Sequence, residues 1–561
     1  FSDAAQTGAE SNMLNIVRRI ILFLGLLVML AGVIDASVLA GSNTPSLKYI
    51  NLVDTWDAAK ARTATDNLLS LLATDRYLPE IVIGHPDDGA IFPPNMASPH
   101  FFWNDTYLFS NAWLVVIETA GGARVSCFTD QPRWVPEKPT WDWLLQHMGT
   151  DAATLTVIGV NRSRGVQPVT RTQITFSISS DPFDGVLFFK QTLLPFLAAR
   201  EHPDQSRWVL ADIAAYDAPQ TVLEGLPSCA HCHTFSPDGR VFGMDVDRNG
   251  DKGGYFLAPV APRMQLDEGH YITWNAFRPG NAVSSMGLFT KISPCGRYLV
   301  STVKETSLFA MLPDIWFSQL FFPIEGYLAV YDREERRFEA IPGADQTDAV
   351  QTSPAWSPDG QTIAFARAPV DAALVDLMQD KTYLTPARGE TIADLNQRYR
   401  IRFDLYTLPF NQGSGGKPKP LVGASQNGRS NFFPRYSPDG RWIAFNQSDT
   451  GLVLQPDSAL YLLPAKGGKA RRMRCNTGRM NSWHSWSPNS RWLVFASKAI
   501  TPYTELLLTH VDAAGNDSPP VALSRLNRKG FAAVLPEIIP RKTSPMESIR
   551  IGADVFAEKD K

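Results

Sequence analysis

Cysteine is scarce in this chain, and what little there is lies scattered. Five cysteines in 561 residues cannot staple a scaffold by disulfides. Cys127, Cys295 and Cys475 stand apart and read as isolated, buried thiols. A long basic stripe is also missing: acidic and basic residues are intermixed at a net charge of −3, so no surface offers the phosphate neutralisation that a nucleic-acid partner requires. The GxSxG nucleophile elbow, the HExxH zinc helix and the GxxxxGK[ST] phosphate loop are all absent, which argues against serine-hydrolase, zinc-protease and nucleotide-driven chemistry. The glycine-rich runs at Gly413 (GSGG) and Gly423 (GASQNG) lack the strand, elbow and helix setting of a nucleophile.

What is present is a folded, turn-rich composition. With 44% hydrophobic and 19% charged residues the chain is globular, and 41 prolines with 39 glycines point to many turns and to β structure. At ~150 residues per domain the length corresponds to roughly three to four units. Residues Ile20 to Ala40 are mostly apolar and follow Arg18-Arg19. At ~1.5 Å per residue they are long enough to cross a bilayer core of ~30 Å, with the basic pair in the cytoplasm. The expectation is a single-pass bacterial inner-membrane protein: residues 1–46 form the cytoplasmic tail and transmembrane anchor, and the bulk lies in the periplasm. A cleaved signal peptide is the rival, since Val38-Leu39-Ala40 resembles a processing site.

Leu52, Trp56, Ala59, Leu68 and Leu71 recur at helical spacing, so residues 47–78 are expected to form a helical linker. From 79 to 180 the pattern changes to short alternating runs (AWLVVIET, ARVSCFT, TLTVIGV, TQITFSIS) separated by turns, predicting an immunoglobulin- or fibronectin-like β-sandwich. Trp103, Trp113, Trp134 and Trp141 are read as its core aromatics.

The larger half repeats itself. Ser236-Pro-Asp-Gly239, Ser293-Pro-Cys-Gly296, Ser357-Pro-Asp-Gly360, Ser437-Pro-Asp-Gly440 and Ser487-Pro-Asn-Ser490 are each followed by a strand-like run. Each motif therefore predicts a tight reversal between neighbouring strands. These aromatic-Ser-Pro-Asp-Gly turns resemble those of TolB-like β-propellers over roughly Asp181 to Pro540. The CxxCH motif directly before the first turn, with GMDVDRNGDKGGY and RMRCNTGRMNSWHSWSPN downstream, is similar to a bacterial family of such propellers that carry a haem motif. The fold class expected is thus mainly β, with a propeller over residues 181–545 and a C-terminal tail over 546–561. Five motifs give five blades, and a sixth closes if FAAVLPEII joins the strands around GVLFFKQTLLPF. Two insertions stand out, an aromatic one from Leu308 to Phe322 and a polar, helix-like one from Asp371 to Arg400. The first is read either as a partner or lipid contact or as packing against the neighbouring domain.

Cys229-Ala-His-Cys232-His233 has the spacing that joins two thioethers to a porphyrin and places a histidine at the iron. A redox disulfide, a structural disulfide and half a zinc site are the alternatives, but neither a helix nor a second CxxC follows. One covalent haem c is expected, with Cys229 and Cys232 attaching it and His233 as proximal ligand. His484 precedes Ser487 by three residues as His233 precedes Ser236, making it the candidate distal ligand, with Met480, Met244, Met286 and His231 as alternatives or an open sixth position. Arg472 and Arg474 are candidate propionate contacts. Asp245, Asp247, Asn249 and Asp251 have the DxDxNG spacing of a Ca²⁺ loop but lack the final glutamate, where Phe256 stands; an Asx-rich turn is the other reading. The function expected is electron transfer, as a carrier or a subunit of a membrane redox complex. A scaffold with a structural haem, or a haem peroxidase or sensor, are the alternatives.

Overall fold

A computed structural model describes residues 46–72, 77–278, 283–543, 546–552 and 555–556. The expected membrane span Ile20 to Ala40 lies outside the described residues. Among the described residues no helix is long and apolar enough to cross a membrane.

The first body is a six-stranded sheet in the order Leu47–Asn51, Arg124–Thr129, Ala112–Glu118, Ala153–Asn161, Gln167–Ile178, Ala90–Phe92. Its two outer pairings are parallel and its inner ones antiparallel. Leu114, Val116, Ile158 and Val160 face a helix, Ala58–Leu72, whose buried stripe includes Ala64 and Leu68. Val115, Ile117, Leu155 and Val157 alternate onto the other face, against Trp103, Trp134, Trp141 and the helix Lys138–Met148. This alternation is the period of two read from the sequence. The architecture differs from the expected sandwich. A three-stranded sheet (Val82–His85, Phe101–Asn104, Arg133–Trp134) is too small to cover a six-stranded one, and the remaining apolar face is shared by one helix and by residues of the second body such as Phe189, Val494 and Leu506. Nor are residues 47–72 a linker: Leu47–Asn51 pairs as an edge strand, and the helix is an integral layer, because its apolar stripe can be buried only against the sheet.

The second body is six four-stranded antiparallel sheets. In chain order, blade 1 contains Gly185–Thr192, Arg207–Ala211 and Gln220–Glu224. Blade 2 is His233–Phe235, Val241–Asp245, Gly254–Pro259 and Tyr271–Thr273. Blade 3 is Leu288–Ile292, Tyr298–Val303, Tyr327–Asp332 and Arg337–Ala340. Blade 4 is Ala349–Trp356, Thr362–Pro369, Asp404–Pro409 and Lys419–Pro420. Blade 5 is Ser430–Tyr436, Trp442–Ser448, Ala459–Pro464 and Arg471–Arg472. Blade 6 is Asn481–Trp486, Trp492–Ser497, Glu505–His510 and Val521–Ala522. The late strand Ala532–Pro540 pairs with Gly185–Thr192 and supplies the inner strand of blade 1. Inner strands neighbour one another in a closed cycle, so these sheets form a β-propeller without an open inner edge.

The repeat motif has a local cause. In blades 2, 4 and 5 the motif serine donates its hydroxyl to the aspartate two residues on, at 2.5 Å, and accepts the amide five residues on, at 2.9–3.0 Å. In blade 6, Asn489 takes the aspartate's place at 2.6 Å. Gly239, Gly296, Gly360 and Gly440 hold φ between +69° and +73°, where a side chain is disfavoured. Ser490 takes the same left-handed conformation and accepts the Asp439 amide at 3.0 Å.

The C-terminal segment is not simply a tail. Ser548–Ile551 pairs in parallel with Arg263–Leu266 and buries Ile549 beside Met264, because alternating SIRI has one apolar face to cover. The aromatic insertion is a hairpin, Ser307–Met311 with Gln319–Pro323. It buries Leu308, Ala310, Leu320 and Phe322 against the blade 4 insertion helices Ala372–Met378 and Ile392–Arg398. Together they form a cap.

Candidate functional site

The inner strands surround a narrow central channel. Every blade contributes to it: Glu537 from blade 1, His233 from blade 2, Lys291 from blade 3, Ser353 from blade 4, Arg435 from blade 5 and His484 from blade 6. Cys232 also lines it, whereas Cys229 does not.

A half-buried acid fixes the CxxCH loop. The Asp245 carboxylate accepts the His231 amide and, at 2.9 Å, the Cys232 amide. The Asp245 and Asp247 amides donate back to the carbonyls of Cys232 and Cys229 at 3.0 and 2.8 Å. Lys190, over the Trp208 ring, donates to the Ala230 carbonyl at 2.6 Å. Burial pushes the Asp245 carboxyl up and lowers Lys190 to about 8, while each charge favours the other. Both motif cysteines are free and half-buried, and desolvation raises both thiols.

His233 is 3% exposed, and neither ring nitrogen makes a well-aligned hydrogen bond, although the Phe188 and Leu535 carbonyls stand close to the ring. Its ring meets Phe188 edge-on at 4.7 Å, in the crevice between blades 1 and 2. Burial lowers it to about 4, although the nearby Glu537 charge and the Phe188 and Leu535 carbonyls favour the protonated form. His484 occupies the equivalent position in blade 6 but points into the crevice beside blade 5, where Nε2 hydrogen-bonds the Ala444 carbonyl at 3.1 Å. Burial, with the Arg435 charge, lowers His484 to about 3. The two histidines thus line one cavity with rings turned into different crevices. That departs from the expectation that they meet at one iron, since the His233 ring turns to Phe188 of blade 1 and the His484 ring to Ala444 of blade 5.

The other candidate ligands fall elsewhere. Met244 pairs with His233 across blade 2 and so shares its face, buried in the same cluster as Phe188; it is a neighbour of His233 and not an opposing ligand. Met480 is buried, with its amide on the Pro456 carbonyl, and Met286 donates its amide to Glu305; neither lines the cavity. His231 stacks on Phe196 at 5.7 Å. Arg472 and Arg474 are exposed, on and just after the outermost strand of blade 5, and so cannot serve as propionate contacts at the channel. Their closeness in sequence to the blade 6 motif misled, because a propeller chain reaches its outer edge just before the next inner strand.

The DxDxNG loop does not gather a cation cage. Asp245 is taken by the CxxCH amides, and Asp251 accepts from Tyr271, Thr273, Asn275 and Gly253. These are donors where a cation would sit, so the loop is an Asx-rich turn. Asp247 and Asn249 join no cage either: among the described residues no three His, Cys, Asp or Glu side chains group as a metal site.

Sequence reading missed three channel residues. Lys291 donates to Glu537 at 2.7 Å, Arg435 stands 3.7 Å from the same carboxylate, and the Phe235 amide donates to it at 3.0 Å. Burial alone would raise Glu537, but Lys291 and Arg435 hold it below its ordinary value. The signal was present in the repeat: Lys291 and Arg435 each stand two residues before the motif serine, so they share one register on two inner strands.

The cap covers the CxxCH end of the channel. The Phe196 ring that stacks on His231 meets Phe309 of the cap hairpin edge-on at 5.6 Å, and the Phe196 amide donates to Ser318 at 3.0 Å. From blade 6, Lys498 donates to the Ile315 carbonyl at 3.1 Å, and Arg479 lies over Trp316 at 4.2 Å. The aromatic insertion is therefore internal packing over the loop.

No family model and no curated protein matches the sequence. Among solved structures, the chain is similar to an oligogalacturonate lyase in complex with manganese, with 14% identity over 54% of this chain and 68% of that one and a TM-score of 0.34. It is similar to an oligogalacturonate lyase from Vibrio parahaemolyticus, with 13% identity over 64% and 75% and a TM-score of 0.32. A prolyl oligopeptidase B from Galerina marginata gives 11% identity over 52% of this chain and 37% of that one, with a TM-score of 0.31. Likeness this distant carries nothing about activity, and the propeller stands on the strand pairing of the chain itself.

Proposed function

We propose that the chain is a mono-haem c-type cytochrome built on a β-propeller, anchored in a bacterial inner membrane through Ile20 to Ala40. In this reading it exchanges electrons with a membrane complex or with periplasmic redox proteins. One observation carries the reading: the histidine of CxxCH is buried, lines the central cavity and has neither ring nitrogen in a well-aligned hydrogen bond. A buried polar group is ordinarily satisfied, and a ligand bond to a metal would satisfy this one. Haem supplies a one-electron couple when bound. The chain's own residues hold the attachment loop. Asp245 fixes the two amides around Cys232, and Lys190 fixes the Ala230 carbonyl, so both thiols are presented from a preset backbone.

The test is a reduced-minus-oxidised absorption spectrum of protein made in cells that mature c-type cytochromes. An α-band that disappears in Cys229→Ala is expected; a wild-type protein without one overturns the reading. A second reading, small-molecule haem chemistry, is favoured by the divergence of His233 and His484 and by the absence of Met480 and Met244 from the cavity lining. Carbon monoxide binding to the reduced protein separates the two, since an open sixth position binds it and a filled one resists it.

A further inference from the structure

The channel carries a charge imbalance that haem attachment does not use. Glu537 is the one carboxylate among the described residues that line it, facing two cations, Lys291 and Arg435. Its oxygens are already occupied, Oε1 by Lys291 at 2.7 Å and Oε2 by the Phe235 amide at 3.0 Å. The Arg435 guanidinium lies 3.7 Å from Oε1, too far for a hydrogen bond, with its side chain 31% accessible. Lys291 has three donors, of which Glu537 takes one and Thr234 a long one at 3.4 Å. Cys232 is neutral as a buried thiol or as a thioether, and protonation of either channel histidine would only add positive charge. One positive charge therefore remains without a carboxylate partner in the channel, with donors of Arg435 and Lys291 left to receive an anion.

We propose that Arg435 and Lys291 form a receptor for one carboxylate-like oxyanion in the central channel, beside Glu537. Arg435 offers a planar fork matched to two oxygens, and Lys291 a point donor across the channel. Two sources carry this chemistry: a propionate arm of a haem attached at Cys229 and Cys232, or a free small carboxylate entering the channel. The receptor itself does not depend on the haem reading.

Calorimetric titration of acetate at low ionic strength tests it, in the wild-type protein and in the variant carrying Cys229→Ala and Cys232→Ala together, which cannot attach haem. Acetate is expected to bind the double variant, and adding Arg435→Gln is expected to weaken binding by roughly tenfold or more, while Arg435→Lys restores part of it. If wild type resists acetate where the double variant accepts it, a propionate fills the receptor; if both accept it, the ligand is a free carboxylate. Should Arg435→Gln fail to fold, Glu537→Gln replaces it, and the extra net positive charge is expected to tighten binding several-fold. No acetate binding to the double variant, or binding unmoved by these changes, overturns the proposal. A wild type lacking the α-band would remove the haem reading and leave this titration in force.

Discussion

Blades 2 and 6 place a histidine at the same repeat position, and they use it differently. In blade 6, His484 is a core residue whose Nε2 is held by the Ala444 carbonyl while its Nδ1 has no partner. In blade 2, His233 is equally buried but has neither ring nitrogen in a well-aligned hydrogen bond, and the loop before it is braced by Asp245 and Lys190. One architecture thus supplies both a structural histidine and one free for a ligand. The difference arises from what precedes each inner strand and from the crevice each ring enters.

The largest expected effect strikes the bracing. Asp245→Ala removes the acceptor of two half-buried amides, each costing about 1 kcal/mol, so a total loss of about 2 kcal/mol in urea unfolding is expected, with haem attachment reduced. An unchanged midpoint would show that the loop is not held by this acid.

The comparison sharpens in the paired substitutions His484→Phe and His233→Phe. The first leaves the Ala444 carbonyl unsatisfied and is expected to cost about 1–2 kcal/mol. The second breaks no well-aligned hydrogen bond and is expected to be near neutral in haem-free protein, yet to abolish the wild-type spectrum of haem-bearing protein. Equal costs in haem-free protein would erase the distinction between the blades.

The same histidines predict acid sensitivity. The folded value of His484 is about 3 and that of His233 about 4, below the ordinary 6.5, so the unfolded chain binds protons first as pH falls. The stability present above pH 6.5 is therefore lost progressively towards those folded values. Unfolding midpoints should fall between pH 6.5 and 4, and His484→Phe should flatten that slope; a slope unchanged in the variant would refute the assignment.

The smallest effect concerns the turns. In blade 3, Ser293 has only the Cys295 sulfur at 3.3 Å where other blades have a carboxylate or an amide oxygen. Cys295→Asp is expected to raise stability by about 0.5–1 kcal/mol, read by thermal unfolding.

Local features were legible in the sequence and convergent ones were not. The Ser-Pro-Asp-Gly turns could be read because serine, aspartate and glycine act within six residues of chain. The strand FAAVLPEII could be assigned because an open ring needs an inner partner. The first body misled because alternating strands look alike whether a sheet or a helix covers them, and Leu47–Asn51 is too short to show its period. The charge cluster at Lys291, Arg435 and Glu537 forms only when the ring closes, so sequence neighbours such as Arg472 and Arg474 drew the attention that belonged to repeat neighbours.

The most direct test of the central claim is the intact mass of the purified chain after denaturation, for wild type and for the variant with Cys229→Ala and Cys232→Ala. The account predicts that wild type is heavier than its sequence by one haem and that the variant has the bare mass. A wild-type chain of bare mass, matured under conditions that attach haem to a control cytochrome, would contradict it.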